Sequence, residues 1–345
     1  MTAFATDAVA AWAGAWPPGL VALGLAVLLT RQVIPYLLRR QMLDRPNERS
    51  SHTRPTPRGG GLAVAPAALL GWALALAASP PGELRPALIA MALGGVALML
   101  LGWADDRHSL PAGPRFAAHG LAVAVAMALL PGDALVFGGL LPGWADRLVT
   151  GLGWLWFANL YNFMDGIDGI SGVETACLGL GAALVATLAG AFGLIPFGLA
   201  LAGAGAGFLV WNWHPAKIFL GDVGSVPLGF LAGGLLIALA LSGQLAAALI
   251  LPAYYLADAT ITLTRRALAG EKVWQAHRKH FYQRAVQGGR SHAQVSLAVL
   301  AAGLALTGAA LLAAAGRMGP GLALAGLVTI AILGLFAHWA KGKSP

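Results

Sequence analysis

The sequence predicts an all-α, polytopic membrane protein built as one domain over residues 1–345. Three observations carry that prediction. Of the 345 residues, 58% are hydrophobic and only 10% are charged, where a soluble domain carries nearer ~25% charged residues. Apolar runs of the ~20 residues needed to cross a bilayer core recur along the chain. The alternation of a barrel strand is absent, so helices are left as the way to satisfy every backbone amide inside lipid.

Eleven membrane helices are expected. The first, near 17–38, precedes a loop stiffened by Pro55 and Pro57 and ending in Gly59-Gly60-Gly61. Segments near 61–79 and 86–104 follow, and the second of these runs into Asp105-Asp106. The fourth and fifth lie near 115–131 and 147–163, and the fifth leads into NFMDGIDG. Ser171 and Glu174 then suit a capping box that opens a sixth helix over 171–190. A seventh, near 192–212, runs into HPAKIFLGDVGS, whose Gly-Asp turn starts an eighth over 224–242. The ninth, near 245–268, holds Pro252, which can bend it, and Asp258, placed to pair with Arg265 along one face. Helices near 291–315 and 320–340 close the chain.

The net charge is +8. The basic residues sit in loops between apolar runs, which reads as membrane orientation and not as nucleic-acid binding. With the N-terminus outside, eighteen Lys and Arg, Arg49 and Lys343 among them, fall on one side of the membrane. Three (Arg85, Arg147 and Arg317) fall on the other. The first side is therefore cytoplasmic, and the C-terminus lies there too. The first sixteen residues hold no Lys or Arg, so no cleaved signal peptide is expected. The single Cys177 rules out a disulfide within the chain.

Only fourteen residues are acidic, and their placement is informative. Asp105, Asp106, Asp165, Asp168 and Asp222 all fall at cytoplasmic helix ends. Carboxylates at a bilayer edge point to function. Glycines beside Asp165, Asp168 and Asp222 let a ligand approach the backbone, and the helix starts that follow favour anions. Clustered carboxylates repel each other and suit a hard cation, Mg²⁺ or Mn²⁺. In HRKHFYQR, His277, Arg278, Lys279, His280 and Arg284 suit a polyanion such as a pyrophosphate. No Cys or third His sits near these two histidines in the sequence, which disfavours zinc. Arg54 and Arg58 of the first loop, which begins Ser51-His52-Thr53, can fork onto phosphates.

In this order PTPRGGG, the Asp pair, NFMDGIDG, NWHPAKIFLGDVGS and HRKHFYQR resemble the polyprenyl-phosphate N-acetylhexosamine-1-phosphate transferases, over roughly residues 18–340. The resemblance implies transfer of an N-acetylhexosamine-1-phosphate from a UDP-sugar to undecaprenyl or another polyprenyl phosphate, with release of UMP. It implies an active site on the cytoplasmic loops at a bacterial cytoplasmic (inner) membrane. Asp105, Asp106, Asp168 and His277 match catalytic positions, and Asp222, with Asp168 and Asp165, matches the metal site. Asn212 and Phe219 match positions lining a uracil pocket. Asn162, Arg58, Arg278 and His280 are expected beside the nucleotide sugar, and Arg54 beside the lipid phosphate with Asp105 and Asp106. The peptidoglycan enzyme of this family has three consecutive histidines where this chain has HRKH, so an enzyme that starts O-antigen or a related glycan is the better match. Neither the sugar nor a homodimer is written in the residues. The rival reading is a polytopic transporter of an anionic substrate, which would place its ionisable groups near helix centres.

Overall fold

The computed structural model describes residues 2–46, 54–79, 82–273, 275 and 277–342. Arg49, Ser51, His52, Thr53 and Lys343 lie outside the described residues.

Among the described residues the architecture is all-α apart from one antiparallel pair of two-residue strands. Helix α1 (Thr2–Arg39) starts well before the expected residue 17 and carries Pro17 and Pro18 inside it. Packing outweighs the proline signal. Trp12 Nε1 donates to Thr187 Oγ1 at 2.9 Å, and the Phe4 ring lies 5.8 Å from that of Phe192. Strands β1 (Leu43–Asp44) and β2 (Thr56–Pro57) pair antiparallel, with Leu43 opposite Pro57. Then come α2 (Gly61–Ala78), α3 (Arg85–His108), α4 (Ala112–Ala128), α5 (Gly143–Phe163), α6 (Ile170–Leu188) and α7 (Ile195–Asn212).

Helix α8 (Asp222–Leu239) ends in a wide turn over Ala240–Gln244, where Gly243 takes a φ of +81°. Only glycine adopts that conformation without strain. The chain folds back there, because Leu245 and Leu249 line the same groove as Leu236 and Ile237. The expected ninth helix is two pieces, α9 (Leu245–Ile250) and α10 (Ala253–Leu268), parted at Leu251-Pro252. Pro252 lacks the amide that would continue the ladder. A short α11 (Phe281–Gln287) precedes α12 (His292–Ala314) and α13 (Met318–Trp339).

Eight helical segments among the described residues are long and apolar enough to cross a membrane. Helices α4 and α10, of 17 and 16 residues, are shorter than those eight segments, and α5 carries polar Asp146, Arg147 and Asn159. The apolar window that starts in α8 is buried throughout, whereas α1 and α13 expose most of theirs. The protein is thus a multi-pass membrane bundle with α8 at its centre.

Two close approaches at the start of α8 position the site. A Cβ added to Gly61 would lie 2.1 Å from the Gly224 nitrogen, and one on Gly102 would lie 2.4 Å from the Asp222 carbonyl oxygen. Both neighbours are backbone, so only glycine allows α2 and α3 to seat against α8. One helical turn beyond Gly102 come Asp105 and Asp106, which are thereby brought to the first turn of α8.

Candidate active site

Asp106 caps α8 from outside. Its Oδ1 accepts from the Asp222 amide at 3.2 Å and its Oδ2 from the Val223 amide at 3.0 Å. These are two of the amides that a helix start leaves without an internal partner. The Asp106 side chain is 1% exposed. Arg58 reaches the same place because its loop is zipped to the segment before α8. The Phe219 carbonyl accepts from the Gly59 and Gly60 amides, and the Phe219 amide donates to the Pro57 carbonyl. Arg58 Nη2 then lies 2.8 Å from Asp222 Oδ1 and 3.0 Å from Asp106 Oδ1. Burial opposes the Arg58 charge, but the carboxylates of Asp106, Asp222, Asp44 and Asp165 outweigh it and strengthen its hold on the proton.

Asp105 faces the other side of Asp222. Its Oδ1 accepts from the Leu110 amide at 2.6 Å, and its Oδ2 lies 2.5 Å from Arg115 Nη1. The same nitrogen lies 3.4 Å from Asp222 Oδ2. Asp105 and Asp222 are themselves within hydrogen-bonding reach. Between them, Asn162 and His119 lies a cavity of about 10 Å³, close to the volume that admits one water-sized particle. Hard carboxylate oxygens around an ion-sized space fit Mg²⁺. Asn162 accepts from Ser225 Oγ at 2.8 Å, which ties the end of α5 to α8.

Asp165 sits behind this cluster. Its Oδ1 accepts from Ser171 Oγ at 2.7 Å, and burial pushes its pKa up to about 6, against Ser171 and Arg58. Ser171 is thus spent on Asp165, and the expected capping box with Glu174 does not form. Glu174 is buried, and its Oε1 has no hydrogen-bond partner.

Asp168 corrects the expectation of one five-carboxylate cluster. Its carboxylate is held in a second group. His214 Nδ1 lies 2.6 Å from its Oδ2 and His292 Nδ1 lies 3.0 Å from its Oδ1. The Ala216 amide donates to Oδ2 at 3.1 Å, and Ser296 Oγ donates to the Asp168 carbonyl at 2.7 Å. Burial works against the Asp168 charge, yet His292, His214 and the Ala216 amide outweigh it and hold the carboxyl below its usual range. Among the described residues, Asp168, His214 and His292 are the one triad whose ligand atoms all lie within 4.8 Å. Asn212 is buried beside them as a clamp. Its Oδ1 accepts from the Gly169 amide at 2.8 Å, and its Nδ2 donates to the Ile218 carbonyl at 2.8 Å.

The HRKH segment divides in two. His280 is buried, with Nδ1 3.1 Å from Asp258 Oδ1. Asp258 also accepts from the Phe281 and Tyr282 amides at 3.0 and 3.2 Å. The ring expected beside the nucleotide is therefore part of the cap of α11. Asp258, expected to pair with Arg265, is the other part. Tyr282 Oη donates to the Phe163 carbonyl at 3.1 Å, so α11 braces the loop that carries Asp165 and Asp168. His277 is half-buried and stacks on His280 at 4.8 Å. Burial, then His280 and Arg266, push its pKa down to about 4. The Arg278 carbonyl accepts from Gln287 Nε2 at 2.7 Å. Arg54 is exposed, and its carbonyl accepts from Thr56 Oγ1 at 3.1 Å.

Sequence reasoning missed Arg115, His214 and His292. His214 lies inside NWHPAKIFLGDVGS, Arg115 follows the Asp pair, and His292 lies just past the HRKH segment. Nothing in their spacing shows which carboxylate each would meet.

Residues 88–240 match the profile of glycosyl transferase family 4. A Bacillus subtilis protein described as a probable undecaprenyl-phosphate N-acetylglucosaminyl 1-phosphate transferase is 28% identical over 79% of this chain and 77% of its own length. A decaprenyl-phosphate N-acetylglucosaminephosphotransferase of Mycobacterium tuberculosis is 31% identical over 77% of this chain and 74% of its own. A phospho-N-acetylmuramoyl-pentapeptide-transferase of Moorella thermoacetica is 40% identical, but over only 28% of this chain and 30% of its own. Motif order, helical bundle and these relatives agree, and the chain belongs to glycosyl transferase family 4, the polyprenyl-phosphate N-acetylhexosamine-1-phosphate transferases.

Proposed function

We propose that the chain transfers an N-acetylhexosamine-1-phosphate from a UDP-sugar to undecaprenyl or another polyprenyl phosphate and so starts an O-antigen or related envelope glycan. The site then faces the cytoplasm of a bacterial inner membrane, with eleven crossings, the N-terminus outside and the C-terminus inside. One observation carries the reading. Asp105 and Asp106 from the end of α3 and Asp222 from the start of α8 meet Arg58 and Arg115 at one rim of the bundle.

An oxygen of the acceptor phosphate bonds to the sugar-bearing phosphorus, the pyrophosphate P–O bond breaks, and UMP leaves with the electron pair. Arg58 and Arg115 carry the guanidiniums that can fork onto the phosphate oxygens. Asp105, held by the Leu110 amide, would orient the acceptor phosphate. Little base catalysis is needed, because a phosphate monoester with a second pKa of ~6 is mostly dianionic at pH 7. Mg²⁺ or Mn²⁺ held at Asp222 and Asp105 would neutralise charge on the pyrophosphate as the bond breaks. A segment of the acceptor's tail would lie in the apolar groove of about 280 Å³ between α5, α8, α9 and α10. A transporter would hold its key carboxylates at mid-span, whereas Asp105 and Asp222 lie in end turns.

The test is to incubate purified protein with undecaprenyl phosphate, Mg²⁺ and a panel of UDP-sugars, and to follow UMP. Release with one sugar and not without the lipid is expected. No UMP from any sugar refutes the reading.

A further inference from the structure

A second feature lies on the other flank of Arg58. Helices α1 and α3 both pack on α2. Between their ends on the active-site side is a cavity of about 590 Å³. Arg40, Arg58 and Arg107 line it together with Asp44 and Asp106, and Tyr36 and Trp103 are part of its wall. The Arg40 guanidinium lies 5.8 Å from the centre of the Tyr36 ring, and that of Arg107 lies 5.7 Å from the Trp103 ring. Aromatic rings in the last turns of apolar helices mark the membrane–water interface. The arginines they carry therefore stand at headgroup depth. Asp106 is already engaged by two amides and Arg58. Among the described residues, no carboxylate pairs with Arg40 or Arg107. A basic notch between membrane helices at this depth is suited to a lipid phosphate.

We propose that this cavity binds the phosphate head of an anionic lipid, with Arg40 and Arg107 as its holding pair. The assignment rests on the membrane reading above but not on the transfer reaction. It has one consequence for the site. Arg58 lines the cavity and also contacts Asp222. A phosphate there competes with Asp222 for that guanidinium and shifts positive charge off the carboxylate. Bound lipid would thereby tune the active site without entering it. A bulk phospholipid and the polyprenyl phosphate acceptor share the recognised chemistry, and the experiment separates them.

Native mass spectrometry of the full chain in detergent reads the bound lipid directly, without turnover. Phosphatidylglycerol, polyprenyl phosphate and phosphatidylcholine are titrated separately into wild type, the double variant R40Q/R107Q and the charge-keeping R40K/R107K. Both arginines are exposed, so the glutamines remove no core contact. The expected result is one anionic lipid per wild-type chain, held at least about tenfold more weakly by R40Q/R107Q and regained by R40K/R107K. Phosphatidylcholine should bind all three alike. A competition then adds polyprenyl phosphate to the chain loaded with phosphatidylglycerol: retention of phosphatidylglycerol assigns the cavity to bulk lipid, and its displacement assigns it to the acceptor. Equal anionic-lipid binding by wild type and R40Q/R107Q overturns the proposal. A raised KM for the UDP-sugar in R40Q/R107Q, with lipid adducts unchanged, overturns it too and gives the cavity to the donor sugar.

Discussion

Gly102→Ala tests whether the seating of α3 on α8 builds the active site. The new methyl carbon would start 2.4 Å from the Asp222 carbonyl oxygen and 2.7 Å from the Val223 nitrogen. Neither atom belongs to a side chain that can swing away. A carbon–oxygen contact needs more than 3 Å, so the two backbones must part by roughly 0.6–1 Å. Overpacking of this kind destabilises by about 1–3 kcal/mol. The larger effect is on chemistry. Asp105 and Asp106 ride on α3 and Asp222 on α8, so their separation changes by the same amount, and a ~1 Å misplacement can lower turnover about 100-fold. Initial rates of UMP release give the activity. A thiol-reactive dye gives the stability, because Cys177 is the one cysteine and is buried until the chain unfolds. Gly113→Ala is the control: it lies in α4 with nothing within 4 Å of the added carbon. It should leave turnover alone and stabilise slightly, by up to about 1 kcal/mol. If Gly102→Ala kept wild-type turnover and melting temperature, the α3–α8 contact would not position the carboxylates and the account of the site would fail.

Three further outcomes follow from particular contacts. Asp222→Asn should lower UMP release by roughly 100-fold or more at every Mg²⁺ concentration; recovery of full rate at high Mg²⁺ would remove Asp222 from the cation site. Asp258→Ala strips the cap from α11 and leaves the Phe281 and Tyr282 amides without their acceptor. About 2–3 kcal/mol of stability should go with it, whereas Lys279→Gln, which breaks an exposed pair with Glu271, should change it by less than about 1 kcal/mol. His277 has its pKa lowered from 6.5 to about 4, so the unfolded chain takes up its proton first as pH falls. Its contribution is fully present above pH 6.5 and is lost as pH falls through that window towards 4. His277→Asn should therefore flatten the acid side of the stability profile relative to wild type, and an unchanged difference between the two profiles across that window would contradict the assignment.

The sequence disclosed what depends on the membrane and on local periodicity. Apolar runs fix where Asp105, Asp106, Asp165 and Asp222 leave the bilayer; Asp106, Asp165 and Asp222 gather near Arg58, and Asp105 joins Asp222 through Arg115. What it could not disclose depends on how helices approach one another. Asp165 and Asp168 are three residues apart in one Gly-rich turn, yet one faces Arg58 and the other faces His214 and His292. That division is set by α7 and α12, which are remote in sequence. His280 looked like a phosphate ligand because its neighbours are cationic, but a buried Asp258 in α10 claims it. Nothing local distinguishes a histidine that meets substrate from one that caps a helix. The early start of α1 has the same origin. Pro17 and Pro18 are strong local punctuation, and Trp12 on Thr187 overrides them.

The structure also separates roles that the sequence left merged. Asp106 and Asp222 are both acidic, adjacent in space and paired with Arg58, but their partners differ in kind. Both Asp106 oxygens are held by amides of the α8 backbone, which cannot leave without unwinding the helix start. Both Asp222 oxygens are met by arginine side chains. Those are ends of long flexible groups, which phosphate oxygens can draw away. On the proposed function, Asp106 is therefore a building element and Asp222 a binding one. Asp106→Asn keeps the shape but turns one acceptor into an NH₂ aimed at an amide or at Arg58. An unsatisfied buried donor then costs about 1–3 kcal/mol, so melting temperature and activity should fall together. Asp222→Asn breaks no backbone contact and should lose activity while melting close to wild type. If instead Asp106→Asn melted like wild type and only its turnover fell, Asp106 would belong with the chemistry and the division would be wrong.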